Sequence, residues 1–138
     1  MPTRTYVDAD VLMAAYQGDH EMWAAANAII DDPNRSFVCS DYLRLEVLWK
    51  PRELGREDEV AFMERFLASC ESVPTGPDVT AQALRFSEAY HLKGFDALHA
   101  SIAASSADEL VTGEKPTKPI HRVREVRVHG IRTARDDD

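Results

Sequence analysis

The chain has 138 residues, a net charge of −8 and 44% hydrophobic residues. This length suits one compact domain, and the apolar content excludes a disordered chain. Charges interrupt every apolar run, so no membrane span is expected, and the acidic balance argues against general attraction to nucleic acid.

Thr5-Tyr6-Val7 is short, apolar and β-prone, and reads as a buried first strand. Val11, Leu12, Ala15 and Tyr16 follow at helical spacing, and Gly18 ends that helix. Asp19 is the expected cap of a second helix, with Met22, Trp23, Ala26, Ile29 and Ile30 on one face. Asp31-Asp32-Pro33-Asn34 closes it, and Ser36-Phe37-Val38-Cys39 reads as a second strand. Ser40 or Asp41 then caps a helix that is apolar nearly all round, which predicts a central, buried element stopped by Pro51. Residues 56–70 form an amphipathic helix, and Ser72-Val73 a short strand. Pro77-Asp78 opens a helix bearing Val79, Ala83, Phe86 and Tyr90, and residues 91–94 break it. Phe95 to Ser105 is an alanine-rich helix, residues 109–112 a strand, Pro116 and Pro119 mark a loop, and Val126 to Ile131 is the last strand. Trp23, Trp49 and Phe86 each fall on an apolar face and are expected in the core.

Strands alternating with helices predict an α/β sandwich with a mainly parallel sheet. Residues 1–135 are expected to form one domain, with Asp136-Asp137-Asp138 a disordered acidic tail. Cys39 and Cys70 lack a partner cysteine or histidine pair nearby, so they read as buried free thiols and not as a zinc site. Met1-Pro2-Thr3-Arg4 leads into the first strand without an apolar leader, which makes a cytoplasmic location the expectation.

Four acids stand where an apolar segment gives way to a helix or turn: Asp8, Glu46, Asp96 and Glu114. A buried, unpaired carboxylate is expensive. Two such groups about 4 Å apart repel by about 4 kcal/mol at an effective dielectric near 20. Ligands of parallel sheets gather at the carboxyl ends of strands. Asp8 ends the first strand, Ser40 ends the second and its helix carries Glu46, Asp96 opens a helix, and Glu114 follows the strand at 109–112. A hard divalent cation, Mg²⁺ or Mn²⁺, is the economical partner for such an oxygen donor set. Asp10, beside Asp8, is a further candidate ligand. Ser40 and Thr112 are candidate supports that orient carboxylates, or simply a helix cap and a strand end. His99, three residues after Asp96, reads better as a packed or partly exposed histidine than as a site residue.

Taken together, these segments resemble PIN-domain ribonucleases, in particular the VapC-type toxins of toxin–antitoxin pairs. Tyr6-Val7-Asp8-Ala9-Asp10 is similar to the opening motif, Ser40 to Val47 to the second, Phe95 to Ala103 to the third, and Leu110 to Glu114 to the fourth. The resemblance covers essentially the whole chain. It implies a three-layer α/β/α PIN-like domain and a metal-dependent endoribonuclease in which Asp8, Glu46, Asp96 and Glu114 are catalytic and hold Mg²⁺ or Mn²⁺. It also implies an RNA substrate, a VapB-type antitoxin, and a homodimer or a heterotetramer with the antitoxin. Asp10 departs from the family's small polar residue, and Glu114 from its usual Asp, which implies contact through water. Met22, Trp23 and Leu12 are candidate partner contacts, or completions of the core.

Two other readings compete. Val7-Asp8-Ala9-Asp10-Val11 fits a haloacid dehalogenase-type phosphatase with Asp8 as nucleophile, but leaves Glu46 and Asp96 without a role. A catalytically weak PIN-like binding module would follow if Asp10 and Glu114 disable turnover. Lys115, Lys118, Arg122, Arg124, Arg127, Arg132 and Arg135 face one acid, Glu125, between residues 115 and 135. This segment is the expected place for local RNA contact, with a solvated surface as the alternative.

Overall fold

The computed structural model describes residues 1–132. Arg135 and the expected acidic tail lie outside them. Five strands form one sheet: β1 (Thr3–Val7), β2 (Arg35–Cys39), β3 (Glu71–Ser72), β4 (Glu109–Thr112) and β5 (Arg127–Gly130). Their spatial order is β3-β2-β1-β4-β5, and every neighbouring pair is parallel. The helices are α1 (Ala9–Tyr16), α2 (Trp23–Ile30), α3 (Asp41–Glu53), α4 (Glu57–Ala68), α5 (Pro77–Tyr90) and α6 (Gly94–Ser106). A short 3₁₀ turn covers Pro119–Arg122.

The strand order follows from handedness. The chain steps outward from β1 to β2 to β3, then returns across the sheet to β4. Right-handed crossovers therefore put α1–α4 on one face and α5–α6 on the other. Contacts among α1, α3 and α4, and separately between α5 and α6, agree with these two layers. The reversal places a crevice at the carboxyl ends of β1 and β4, where parallel sheets bind ligands. Tyr6, Val7, Leu110 and Val111 are fully buried in the sheet's centre. On α6, Ala97, Ala100 and Ala103 are buried, and these small side chains let the helix lie close on β1 and β4.

The opposite end of the sheet buries a carboxylate that is fully compensated. Glu109 opens β4 and is 1% exposed. It accepts hydrogen bonds from Thr5 Oγ1 on β1 at 2.9 Å, Arg35 Nε on β2 at 2.7 Å and Arg127 on β5 at 3.2 Å. Burial pushes its pKa up, but the bonds from Arg35 and Thr5 and the two guanidinium charges outweigh it, and the carboxyl stays below its ordinary value. One side chain thus ties four strands together.

Several local expectations are corrected. Pro51 does not stop α3, which runs on to Glu53. A proline this close to the helix end removes only one intrahelical bond, and its ring is buried. Nor is α3 buried all round: Leu45 is 63% and Trp49 54% exposed. Trp23 is also largely exposed, whereas Phe86 is core as expected. Met22 and Leu12 are buried and complete the core instead of offering partner contacts. The N-cap of α2 is Met22, not Asp19. Of the two cysteines, Cys39 is a buried free thiol and Cys70 a half-buried one. Among the described residues no helix is long and apolar enough to cross a membrane.

Replacing Glu109 with Gln removes the charge that Arg35 and Arg127 face on β4 and leaves Arg35 only its pair with Asp32. Breaking a buried ion pair in this way should destabilise the fold by about 3 kcal/mol, lowering Tm by roughly 10 °C at pH 7. Thermal unfolding followed by circular dichroism measures this; a Tm within about 2 °C of wild type contradicts the four-strand role. Because the Glu109 pKa is depressed, its contribution is present above the unfolded carboxyl value and is lost as pH falls through the folded one.

Candidate active site

Asp8 leaves β1 and occupies the N-cap position of α1 without a side-chain capping bond, a position set by the chain's turn from strand into helix. Its backbone N–H donates to Val111 O at 2.9 Å, which docks the end of β1 against β4. The side chain is buried at 7% exposure. Asp10 sits in the first turn of α1, where the helix dipole favours an anion. Its Oδ1 accepts from the Gly113 N–H at 3.1 Å, tying α1 to the exit of β4. Gly113 is tightly packed: a Cβ there would stand 3.0 Å from Asp10 Oδ2 and 3.1 Å from Met22 Cε, and those side chains would have to give by a few tenths of an ångström.

Ser40 caps α3, its Oγ accepting from Leu43 N–H at 3.1 Å. This cap starts the helix so that Glu46 points back toward the sheet edge. Glu46 is bonded to His99 Nε2. The same nitrogen lies 3.9 Å from Asp8 Oδ1. His99 Nδ1 is 2.7 Å from the Tyr6 hydroxyl, which in turn is 3.0 Å from Ser40 Oγ. A continuous polar chain thus runs Ser40–Tyr6–His99–Glu46, all of it buried except the carboxylate end. Asp96 lies in the first turn of α6, one turn before His99. Thr112 Oγ1 accepts from Glu114 N–H at 3.1 Å, and the Glu114 carbonyl accepts from His121 Nε2 at 3.1 Å. Asp96 and Glu114 line one cavity of about 290 Å³. A cavity of about 540 Å³ lies elsewhere, beside Arg4 and Asp108 and away from these acids.

The charges of these acids act on one another. Burial pushes Asp8 up to about 6; His99 and the Thr112 hydroxyl pull against this, while Asp96 and Glu46 add to it. Burial also raises Asp10 to about 7, aided by the charges of Asp8 and Glu114 and opposed by the Gly113 bond. For His99, burial acts downward, but the Glu46 hydrogen bond and the charges of Asp8, Glu46 and Asp96 leave it above its ordinary value. Tyr42, on α3 at the rim, rises to about 12 through burial and then Glu46, Asp96 and Asp8.

The model of the PIN domain matches residues 5–118. The chain belongs to the PIN domain family. This is a family of nucleases whose members typically use divalent metal ions. Solved structures share the fold at low identity. DNA-bound VapBC from Salmonella typhimurium is 14% identical with a TM-score of 0.70, covering 94% of this chain and 98% of that one. VapBC2 from Rickettsia felis, bound to a fragment of its promoter DNA, is 13% identical with a TM-score of 0.69, covering 92% and 98%. A toxin–antitoxin complex from Klebsiella pneumoniae is 17% identical with a TM-score of 0.67, covering 88% and 94%. No curated protein is a significant sequence match.

The donor set of this PIN domain fits a hard cation whose shell is completed by water. Asp8, Asp10, Glu46, Asp96 and Glu114 offer only oxygen, as Mg²⁺ and Mn²⁺ prefer. Among the described residues no three His, Cys, Asp or Glu side chains form a ready-made cage, which is unlike a closed structural zinc site. Mg²⁺ takes one or two carboxylates and keeps several waters, so it does not require such a cage. What favours a cation is the crowding of a buried Asp8 and a half-buried Asp10, neither with an Arg or Lys partner among the described residues, and each carboxyl is held above its ordinary pKa.

All the acids predicted from the sequence thus gather at one edge, with Ser40 and Thr112 hydrogen-bonded beside them. His99 and Tyr6 are the residues that sequence reasoning underrated. His99 is buried and faces Glu46 and Asp8, contrary to the partly exposed alternative. The available signals were the three-residue spacing from Asp96 on one helix and the two-residue spacing of Tyr6 from Asp8 on one strand face.

A carboxyl held above its unfolded pKa binds its proton more tightly in the folded protein. The stability linked to that proton is complete below pH about 4 and is lost as pH rises through about 6 to 7. The raised His99 acts in the same direction. The metal-free protein should therefore unfold more readily at pH 8 than at pH 5. Asp10→Asn keeps an oxygen for the Gly113 N–H and removes the charge, so it should stabilise the metal-free protein at pH 8 by about 1–2 kcal/mol. That gain should shrink toward pH 4. Urea denaturation in chelator at the two pH values measures it, and equal or lower stability of the variant at pH 8 contradicts the charge assignment.

Proposed function

We propose that this protein is a VapC-type toxin: a metal-dependent endoribonuclease that hydrolyses RNA phosphodiester bonds and is held inactive by a VapB-type antitoxin. The observation that carries the reading is the gathering of acids from β1, α3, α6 and the exit of β4 around a buried Asp8 in a PIN domain. The VapBC complexes that share the fold support the toxin and antitoxin parts. The family match also removes the ground for a haloacid dehalogenase-type phosphatase, which had no use for Glu46 and Asp96.

Asp8, Glu46 and Asp96 would hold Mg²⁺ or Mn²⁺, with Glu114 reaching it through water and Asp10 a further candidate ligand. When bound, the ion supplies an activated water and cancels charge on the phosphate. The chain's own residues do the positioning. His99 fixes the Glu46 carboxylate through Nε2 and is itself fixed at Nδ1 by Tyr6. Ser40 anchors Tyr6 from the other side. Thr112 favours the charged form of Asp8. The Gly113 N–H holds one Asp10 oxygen by a backbone bond. For the antitoxin, the exposed Leu45 and Trp49 on α3 and Trp23 on α2 offer apolar surface, and the acid cluster would accept a basic side chain. A homodimer, or a heterotetramer with the antitoxin, is the assembly proposed.

Cleavage of single-stranded RNA should require Mg²⁺ or Mn²⁺ and stop in excess chelator. Asp8→Asn and Asp96→Asn should each reduce kcat by roughly 100- to 1,000-fold. His99→Gln should lower metal affinity or activity by about 10- to 100-fold, because it acts through Glu46. Undiminished cleavage in chelator refutes the mechanism. Mn²⁺ binding without cleavage of any RNA would instead favour the weak binding module.

A further inference from the structure

Two arginines of the basic C-terminal segment are not free to hold RNA. Arg127 is paired with Glu109 at the far end of the sheet, and Arg132 with Glu21 at 2.7 Å while also donating to Gly113 O. Lys118 is different. It lines the 290 Å³ cavity together with Lys93, Asp96 and Glu114. Lys93 reaches the cavity from the N-cap of α6, and Lys118 from the loop before the 3₁₀ turn. Among the described residues neither lysine is in an ion pair, although two carboxylates share the cavity with them. The remaining wall includes Leu92 and Ile120, both buried, which give an apolar floor.

The approach to the cavity is also conformationally special. His91 ends α5 in the left-handed region at φ 58°, ψ 41°, the one described non-glycine residue with positive φ. A non-glycine residue persists there only when its surroundings hold it, and such residues cluster at functional sites. It turns the chain so that Leu92 packs inward and Lys93 reaches the cavity rim. Two cations, an apolar floor and two of the candidate catalytic acids in one space form a recognisable combination. The volume is near the roughly 300 Å³ lower bound for ligand pockets. The acids serve the reacting phosphate, the ammonium groups suit a neighbouring phosphate, and the floor suits the face of a base or ribose.

We propose that this cavity is a substrate subsite for the nucleotide adjoining the scissile phosphate of single-stranded RNA, with Lys93 and Lys118 holding that nucleotide's outer phosphate. The proposal rests on the nuclease reading above, and it also accounts for how a chain of net charge −8 retains a polyanion. Lys93 and Lys118 are positioning residues.

Binding of a fluorescent single-stranded RNA oligonucleotide in Mg²⁺, followed by anisotropy across a salt series, tests it. Asp8→Asn protein serves as the non-cleaving background. Each lysine-to-Ala change in that background should reduce the slope of log affinity against log salt by about 0.7, and affinity at 50 mM salt by about eightfold. Lys→Arg at either position should restore the slope. Arg65→Ala, an exposed charge on α4 outside the cavity, should leave the slope unchanged. Wild-type slopes in both lysine variants overturn the subsite, as does an equal loss in Arg65→Ala or no RNA binding at all. Cleavage by the protein with Asp8 intact, run in parallel, separates the two readings. Cleavage with lysine-independent binding sinks the subsite alone; lysine-dependent binding without cleavage sinks the nuclease reading and leaves an RNA-binding subsite.

Discussion

A carboxylate buried at the edge of a sheet must be neutralised by something, and this fold meets that demand differently at its two ends. Where β4 begins, Glu109 is surrounded by Arg35, Arg127 and Thr5, and stays ionised below the ordinary carboxyl range. Where β1 and β4 end, Asp8 is buried and Asp10 half-buried beside further acids, and both are pushed up, to about 6 and about 7. Among the described residues the one basic side chain against Asp8 is His99, which is also committed to Glu46. One end is a finished structural joint. The other is a site with excess negative charge, whose remaining compensation fits a divalent cation and, in the proposed complex, a basic antitoxin residue.

The rest of the architecture serves that second end. The strand order β3-β2-β1-β4-β5 places the switch in chain direction between β1 and β4, so the loops leaving both strands open onto the same crevice. Small residues on α6 bring that helix close to the sheet, which allows His99 to reach both Tyr6 on β1 and Glu46 on α3. Capping by Ser40 sets where α3 begins and hence where Glu46 falls. Gly113 lets α1 approach the exit of β4 closely enough for Asp10 to accept a backbone bond. Each of these is a short-range geometric condition on a carboxylate.

What could be read from the residues divides along physical lines. The strands, the Ser40 cap of α3 and the acids at strand ends were legible because they depend on local periodicity and on chain order. Ser40 is a local feature in this sense, and so is the extended run of Glu109 to Thr112. Partner choice was not legible. Trp23 and Trp49 lie on apolar stripes, but a stripe does not reveal whether another element covers it, and both are exposed. His99 looked like ordinary packing because its partners, Tyr6 and Glu46, are 93 and 53 residues away. The basic segment looked like one continuous surface, yet long-range pairs with Glu109 and Glu21 withdraw two of its arginines. Pro51 looked like a helix stop, but near a helix end the loss of one bond is offset by burial of the ring.

The central claim is that a divalent cation replaces protons on the crowded acids at the switch point. Isothermal titration calorimetry of the whole protein with Mn²⁺, in buffers of differing ionisation enthalpy, measures the protons released on binding. At pH 6, where Asp8 and Asp10 are partly protonated, binding should release about one proton, falling toward zero by pH 9. Binding with no proton release at pH 6, or no binding at any pH, would contradict the account.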